Sequence, residues 1–227
     1  MADTKTQQYF DAHPDTQDVR RSLGITIRGH EYTVVVSNSV FSTHRLDLGT
    51  KVLLDRVPSP SSLTSHILGH SVHMLDMGCG WGPLSLGLAR EAPSEATIWA
   101  LDVNERAVEL TTLNSAAAGF KNVRAGTAES FTSTYGREWA DTQFDLIWSN
   151  PPIRVGKDAL HTLLMTYLPR LAVNGVAYMV VQKHLGADSL MTWLDKHLND
   201  DSHSSRFSVS KFASAKGYRI IEVTRTR

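Results

Sequence analysis

V-H-M-L-D-M-G-C-G-W-G-P, Val72–Pro83, is the stretch from which the fold of this chain is read. An apolar run closes on Asp76, glycines alternate at Gly78, Gly80 and Gly82, and a segment of helical character follows over Leu84–Glu91. A strand that turns into a helix on glycines exposes bare backbone. Glycine lacks a Cβ, takes φ values closed to other residues and lets a ligand approach the main chain. The helix start adds N–H groups without partners inside the helix. Asp76 places a carboxylate at the strand end, suited to a cationic or amino-bearing group. The same residues also describe a tight βα turn without a ligand. The dinucleotide fingerprint G-x-G-x-x-G is met by Gly78 and Gly80 but fails at Pro83, since the glycine falls one residue early. A nicotinamide dehydrogenase is therefore disfavoured.

Two further stretches carry chemistry. Thr97–Val103 (T-I-W-A-L-D-V) is a β-rich run reaching Asp102, near the ~20-residue spacing at which an acid meets ribose hydroxyls in nucleotide-binding turns. Asp102 reads equally as the cap of a helix from Glu105, a role Asn104 can fill instead. Phe144–Pro152 (F-D-L-I-W-S-N-P-P) is a buried strand closed by two prolines, which forbid ladder pairing and hold the chain extended. Without chemistry, those residues are an Asn-Pro turn after an edge strand.

Together, D-x-G-x-G-x-G, the second acid and Asn-Pro-Pro resemble the motifs of class I S-adenosylmethionine-dependent methyltransferases, the last being similar to motif IV of the amino-group enzymes. The resemblance implies a glycine turn (Gly78, Cys79, Gly80) under the methionine part of S-adenosyl-L-methionine, with Asp76 facing its amino group. It implies Asp102 and Val103 at the ribose, Thr127-Ala128 at the adenine pocket and Asn150 beside the cofactor. Four stretches narrow it further: F-S-x-x-R-x-D-x-G-T-x-x-L-L (Phe41–Leu54), N-P-P-I-R-x-G-K (Asn150–Lys157), Q-K-x-x-G-A (Gln182–Ala187) and K-G-Y-R (Lys216–Arg219). These resemble the single-domain members of the "small domain" ribosomal RNA guanine-N2 methyltransferases. That branch implies ribosomal RNA or a ribosomal subunit as substrate, and an opening segment, from Tyr9-Phe10 onward, folded over the cofactor.

Methyl transfer to an exocyclic amine is mostly positioning, because the lone pair is delocalised into the ring. The Asn150 side-chain carbonyl and the Pro151 main-chain carbonyl are the acceptors expected to draw the amino hydrogens, with Pro152 fixing the turn. Ile153 stands where many amino-methyltransferases carry an aromatic ring on a flipped base, and offers apolar contact only. Arg154, Lys157, Lys183 and Lys216 belong to a basic set that either meets RNA phosphates or is a solvated face. Two other outcomes stay open: N5-methylation of a protein glutamine, and a non-catalytic RNA-binding or assembly factor retaining the cofactor fold.

Composition sets outer limits. The chain has 227 residues, 23 basic and 23 acidic, for a formal net charge of zero, so a polyanion surface must be a local patch. The one cysteine, Cys79, excludes an internal disulfide, and His44, His66, His70, His73 and His161 lack metal-ligand spacing. The opening M-A-D-T-K-T-Q-Q has no apolar core, and no run approaches the ~20 residues of a membrane span. A cytoplasmic monomer without a metal is the expectation. Residues 1–70 read as an N-terminal arm and small β/helix extension, with a strand pair within Ile25–Val36 and a Ser/Pro-rich connection over Val57–Gly69. Residues 71–227 read as a class I methyltransferase core. There, strands and helices alternate as a doubly wound α/β sheet, mostly parallel, closed by an antiparallel hairpin over Phe207–Phe212 and Tyr218–Thr224. Helices are expected over Glu105–Ala118, Gly156–Leu171 and Ser189–Leu198. Thr132–Thr142 reads as an insertion-like loop, and Asn174-Gly175 as a turn into a strand at Val176–Val181.

Overall fold

Two left-handed residues, Arg28 (φ 48°) and Gly29 (φ 82°), fold β1 (Arg20–Ile27) back onto β2 (His30–Ser37), a turn whose twist suits a hairpin. The computed structural model describes residues 17–38, 40–42, 44–64, 71–200 and 206–227, with the backbone alone of Arg154. Tyr9-Phe10, His13-Pro14, His66 and His70 lie outside the described residues. After the hairpin, α1 (Leu48–Arg56) starts on Asp47, whose carboxylate accepts from the Thr50 N–H, and a short α2 (Pro60–Thr64) follows.

From there strand and helix alternate: β3 (His73–Met77), α3 (Pro83–Glu91), β4 (Thr97–Leu101), α4 (Glu105–Ala117) and β5 (Val123–Gly126). Next come α5 (Ala128–Tyr135), α6 (Arg137–Asp141), β6 (Phe144–Ser149), α7 (Lys157–Tyr167), β7 (Leu171–Gln182) and α8 (Ala187–Leu198), then β8 (Phe207–Ala215) and β9 (Tyr218–Arg225). The seven-stranded sheet runs β5-β4-β3-β6-β7-β9-β8. Strands β3 to β7 pair in parallel, and β9 joins β7 and β8 antiparallel. It is a doubly wound, Rossmann-like sheet, mostly parallel and closed by an antiparallel hairpin.

The chain winds outward from β3 to β4 and β5, then returns to place β6 on the other side of β3. This reversal is the switch point where open α/β sheets bind ligands, beyond the carboxyl ends of the strands. Met77 stands beside Ser149 in the register, so the glycine turn and Asn-Pro-Pro leave the sheet side by side. Because β6 lies between β3 and β7, Asn-Pro-Pro does not follow an edge strand.

Period-two alternation divides the core into two layers. Met74, Leu146, Trp148, Tyr178 and Val180 face the hairpin, α1, α3 and α4. Leu75, Ile147, Ala177 and Met179 face α5 to α8. The N-terminal extension shares the first layer through Ile27, Val34, Val36 and Leu53. Asn114 of α4 pins it: its Nδ2 donates to the carbonyls of Val35 (2.9 Å) and Trp81 (2.8 Å), and its Oδ1 accepts from Val35 N (2.7 Å).

Three sequence expectations change. Thr132–Thr142 is not a loop: most of it lies in α5 and α6, because Phe131, Tyr135 and Trp139 recur every four residues and close around Trp99, with ring centroids 5.1–5.2 Å from it. The helical period was hidden by Gly136 (φ 50°), which separates the two helices. Asn174-Gly175 is not a turn before a strand but an irregularity inside β7, where Ala172–Gly175 sit opposite Asp145 alone. Gly175 is required there, since a Cβ would stand 2.7 Å from the Phe144 carbonyl oxygen. The helix expected to reach Leu171 stops at Tyr167 and tightens into a 3-10 turn at Leu168–Arg170, because Pro169 has no N–H to continue it.

Asn114→Ala removes three hydrogen bonds from a buried junction and leaves both Val35 backbone groups without their partner. It is expected to lower the unfolding free energy by about 2–4 kcal/mol, read as a shift in the urea midpoint at unchanged slope.

Candidate active site

All three glycines of the turn adopt left-handed φ: 82° at Gly78, 58° at Gly80 and 95° at Gly82. The turn is strapped to the end of β4. The N–H groups of Gly78 and Cys79 both donate to the Leu101 carbonyl (2.8 and 2.9 Å), and Gly80 N donates to Asp102 Oδ2 (2.9 Å). At Gly82 a Cβ would press on Thr111 from 3.1 Å, whereas at Gly78 it would meet nothing within 4 Å among the described residues. The third glycine thus packs against α4 and the first faces open space.

That space is a cavity of about 370 Å³, within the range of small-ligand sites. Gly78, Cys79, Gly80 and Trp81 form one wall and Leu101, Asp102 and Val103 the next. Asn150, Pro151, Pro152 and Ile153 lie opposite; Phe41, Ser42, Asp47 and Thr50 come from the N-terminal extension, and Gln182, Leu185 and Tyr218 from the C-terminal strands.

Asn104 caps α4, accepting from Arg106 N and Ala107 N, so Asp102 is spared that task. The half-buried Asp102 carboxylate takes Gly80 N on one oxygen and Asn104 N (3.0 Å) on the other. Burial pushes its carboxyl up, and N–H groups of Asn104, Gly80 and Val103 pull it back. The carboxylate keeps a lone pair for a ligand. Burial also pushes the Cys79 thiol up, aided by the charges of Asp102 and Asp76; it is a neutral wall.

Asp76 sits otherwise than the sequence suggested. It is fully buried, does not line the cavity and accepts from Ser85 Oγ at 2.6 Å, while its Oδ1 has no partner among the described residues. Burial raises its pKa to about 7, against the opposing Ser85 hydrogen bonds and with a contribution from the Asp102 charge. Thr127 and Ala128 also lie outside the lining, and Thr127 caps α5 through Ser130 N.

At the acceptor motif, Asn150 Nδ2 donates to Asp47 Oδ2 (2.9 Å) and Thr50 Oγ1 (3.0 Å). Pro152 (φ −74°, ψ 73°) makes an inverse γ-turn, in which Ile153 N donates to the Pro151 carbonyl at 2.8 Å. The Pro151 oxygen, expected from the sequence to draw an amino hydrogen, therefore already holds one donor. Ile153 brings no ring to the cavity, but Phe41, half exposed, and Tyr218 do. Phe41, Asp47 and Tyr218 stood in motifs of the sequence without a role, because only the fold brings them to the cavity that Asn150 lines.

Lys183 and Lys216 meet on one rim: both are exposed, and Lys183 N donates to the carbonyl of Gly217, next to Lys216. Lys157 is exposed at the start of α7, and the side chain of Arg154 lies outside the described set. Arg219 is engaged by Asp188 and Arg225 by the Leu171 carbonyl, so neither belongs to a free basic face. Among the described residues no His/Cys/Asp/Glu group could hold a metal ion, and no helix is long and apolar enough to cross a membrane.

A family model described as the methyltransferase small domain matches residues 31–211. The chain belongs to that family. It is a class I S-adenosylmethionine-dependent methyltransferase. This methyltransferase is similar to the uncharacterized protein YbxB of Bacillus subtilis strain 168, 31% identical over 217 residues, with 96% of this chain and 98% of that one covered. It is also similar to the ribosomal RNA small subunit methyltransferase C of Shewanella sediminis, 31% identical over 184 residues, covering 79% of this chain and 48% of that protein. The chain spans about half the length of the methyltransferase C relatives it matches. Its fold matches the T. thermophilus 16S rRNA N2 G1207 methyltransferase (RsmC), solved with AdoMet and guanosine, at a TM-score of 0.68 and 23% identity, covering 94% of this chain and 52% of that one. The cofactor of the methyltransferase is S-adenosylmethionine. The residues present fit it: an open backbone cradle at Gly78, a half-buried carboxylate with a spare lone pair at Asp102 and apolar walls.

A carboxyl raised by burial binds its proton more tightly folded than unfolded. The penalty it exerts is absent below the ordinary value of 3.8, grows as pH rises toward about 7 and is constant above. Asp76→Asn is therefore expected to gain stability on the wild type with rising pH, by up to about 1.4 kcal/mol per pH unit inside that window. Paired urea titrations of the cofactor-free proteins between pH 4 and 8 measure it; parallel curves would place Asp76 in a better-solvated state than its burial implies.

Proposed function

We propose that the protein transfers a methyl group from S-adenosylmethionine to the exocyclic N2 amino group of a guanine in small-subunit ribosomal RNA, acting on the RNA or on the ribosomal subunit in the cytoplasm. The observation that carries this reading is the state of Asn150. Both hydrogens of its amide have acceptors in Asp47 and Thr50, which leaves the carbonyl as the group it can offer to the cavity it lines. A carbonyl there suits an acceptor bearing N–H, such as an amino group. The names of the methyltransferase C relatives and of the RsmC structure support the choice of ribosomal RNA and of N2.

Bound cofactor supplies an electrophilic methyl on a sulfonium. The chain's own residues do the rest by holding and orienting. The glycine turn receives the cofactor on bare backbone, and Asp102 accepts from ribose hydroxyls, with Cys79 and Val103 as apolar walls. Asp76, behind the turn, acts through it rather than by direct contact, and Thr127 and Ala128 hold the start of α5 beside β5. On the acceptor side Asn150 and the remaining lone pair of the Pro151 carbonyl draw the amino hydrogens. That bends the nitrogen toward a tetrahedral shape and aims its lone pair. Pro152 stiffens the turn, Ile153 covers the base with apolar surface, and Phe41 or Tyr218 supplies the ring that Ile153 lacks. The rim lysines Lys183 and Lys216, with Arg154 and Lys157, meet phosphates. No titrating base is required.

Tritium transfer from labelled S-adenosylmethionine into unmodified ribosomal RNA and into subunits, followed by nucleoside analysis, tests the reading. Label in N2-methylguanosine is expected. Label in another nucleoside, or in a protein glutamine, would replace the proposed acceptor. In the same assay Asn150→Ala is expected to abolish turnover while cofactor affinity stays within about tenfold. Asp102→Ala is expected to weaken cofactor binding by about 1–3 kcal/mol, measured by calorimetry; an unchanged dissociation constant would leave Asp102 with its structural bonds alone.

A further inference from the structure

Asp47 decides which end of the Asn150 amide meets the cavity. Rotation of an amide by half a turn exchanges its oxygen for its nitrogen at almost no steric cost, so the surroundings must choose. A carboxylate only accepts, and Asp47 Oδ2 stands 2.9 Å from the Asn150 nitrogen, with Thr50 Oγ1 taking the other hydrogen at 3.0 Å. The carboxylate is itself fixed. It caps α1 through Thr50 N at 3.0 Å, at the positive end of the helix dipole. The helix start is pressed against the sheet, since a Cβ on Gly49 would overlap the Tyr218 ring at 2.8 Å. Asp47 and Asn150 are 103 residues apart in sequence.

We propose that Asp47 is a positioning residue for methyl transfer: its carboxylate locks the Asn150 amide with the carbonyl toward the acceptor amine and polarises that carbonyl. The proposal rests on reading the protein as an amino-group methyltransferase. When the amine lone pair forms the nitrogen–carbon bond, the carbon–sulfur bond breaks with its electron pair going to sulfur. The nitrogen holds positive charge until a proton leaves to water. A charge-assisted bond from the amide to Asp47 raises the negative charge on the Asn150 oxygen, which faces that nitrogen. An amide turned the other way would put its own hydrogens against those of the amine.

A helix cap alone would look the same in the free protein, and serine separates the two roles. Serine caps a helix about as well as aspartate, but it carries no charge and is too short to hold Asn150. Asp47→Ser is expected to keep the melting temperature within a few degrees and the cofactor dissociation constant within about threefold. Its kcat should fall about 100-fold, with a smaller change in KM for RNA. Asp47→Asn, a neutral cap of the same length, should fall between. Wild-type kcat in Asp47→Ser would overturn the proposal, as would a loss of kcat that follows loss of cofactor binding.

The second readout does not depend on turnover. In 15N-labelled protein the Asn150 side-chain NH2 signals, assigned by their loss in Asn150→Ala, should be protected from water exchange in the wild type and exposed in Asp47→Ser. Signals unchanged by Asp47→Ser overturn the proposal even where no RNA is methylated. A wild-type enzyme that leaves guanine unlabelled, with protected amide signals, overturns the substrate reading instead.

Discussion

The site depends on one pairing: β3 lying parallel to β6, with Met77 beside Ser149. Each strand is buried on both faces, so a slip of one residue would carry Met74 and Trp148 into the layer of Leu75 and Ile147 and break both cores. The register that packs the sheet is therefore also the one that brings the glycine turn level with Asn-Pro-Pro. Neither stretch makes a binding site by itself. Placed together at the reversal of the strand order, they form two walls of one cavity.

Electrostatics follow from how deep the strand ends lie. Asp76 and Asp102 end adjacent strands under the same turn, and both are pushed up by burial. Asp102 is offset by backbone N–H groups from three residues and lines the cavity. Asp76 has only the hydroxyl and N–H of Ser85 and, among the described residues, keeps an oxygen without a partner. Two carboxylates of similar sequence setting thus part in behaviour: the one at the cavity is solvated by the main chain, and the one behind it leans toward its proton.

The sheet was legible in the sequence because its signals are local. Glycine spacing at 78, 80 and 82, apolar runs of strand length and capping residues such as Asn104 act within a few positions. The α5–α6 region was not, since its helices are short and divided by Gly136, and the hydrophobic reason for them, Trp99, lies elsewhere in the chain. The acceptor side of the cavity was half legible. Asn150 stood out by its prolines, but the pairing of its amide with Asp47 spans 103 residues and leaves no periodic trace. The engagement of the Pro151 carbonyl was also hidden, because it follows from a γ-turn whose ψ the sequence does not determine.

The division of labour in the cavity follows the order of the chain. The glycine turn and Asp102 come from the first half of the doubly wound sheet, the part such folds use for a nucleotide-like ligand. Phe41, Asp47 and Thr50 come from the extension before that sheet, and Gln182 and Tyr218 from strands at its far end. They divide between the two walls: Asp47 and Thr50 bind the Asn150 amide and Tyr218 backs the start of α1, while Val40, next to Phe41, lies against Gly80 of the glycine turn. The Trp81 indole N–H, bonded to the Ser42 carbonyl at 3.2 Å, joins the two halves.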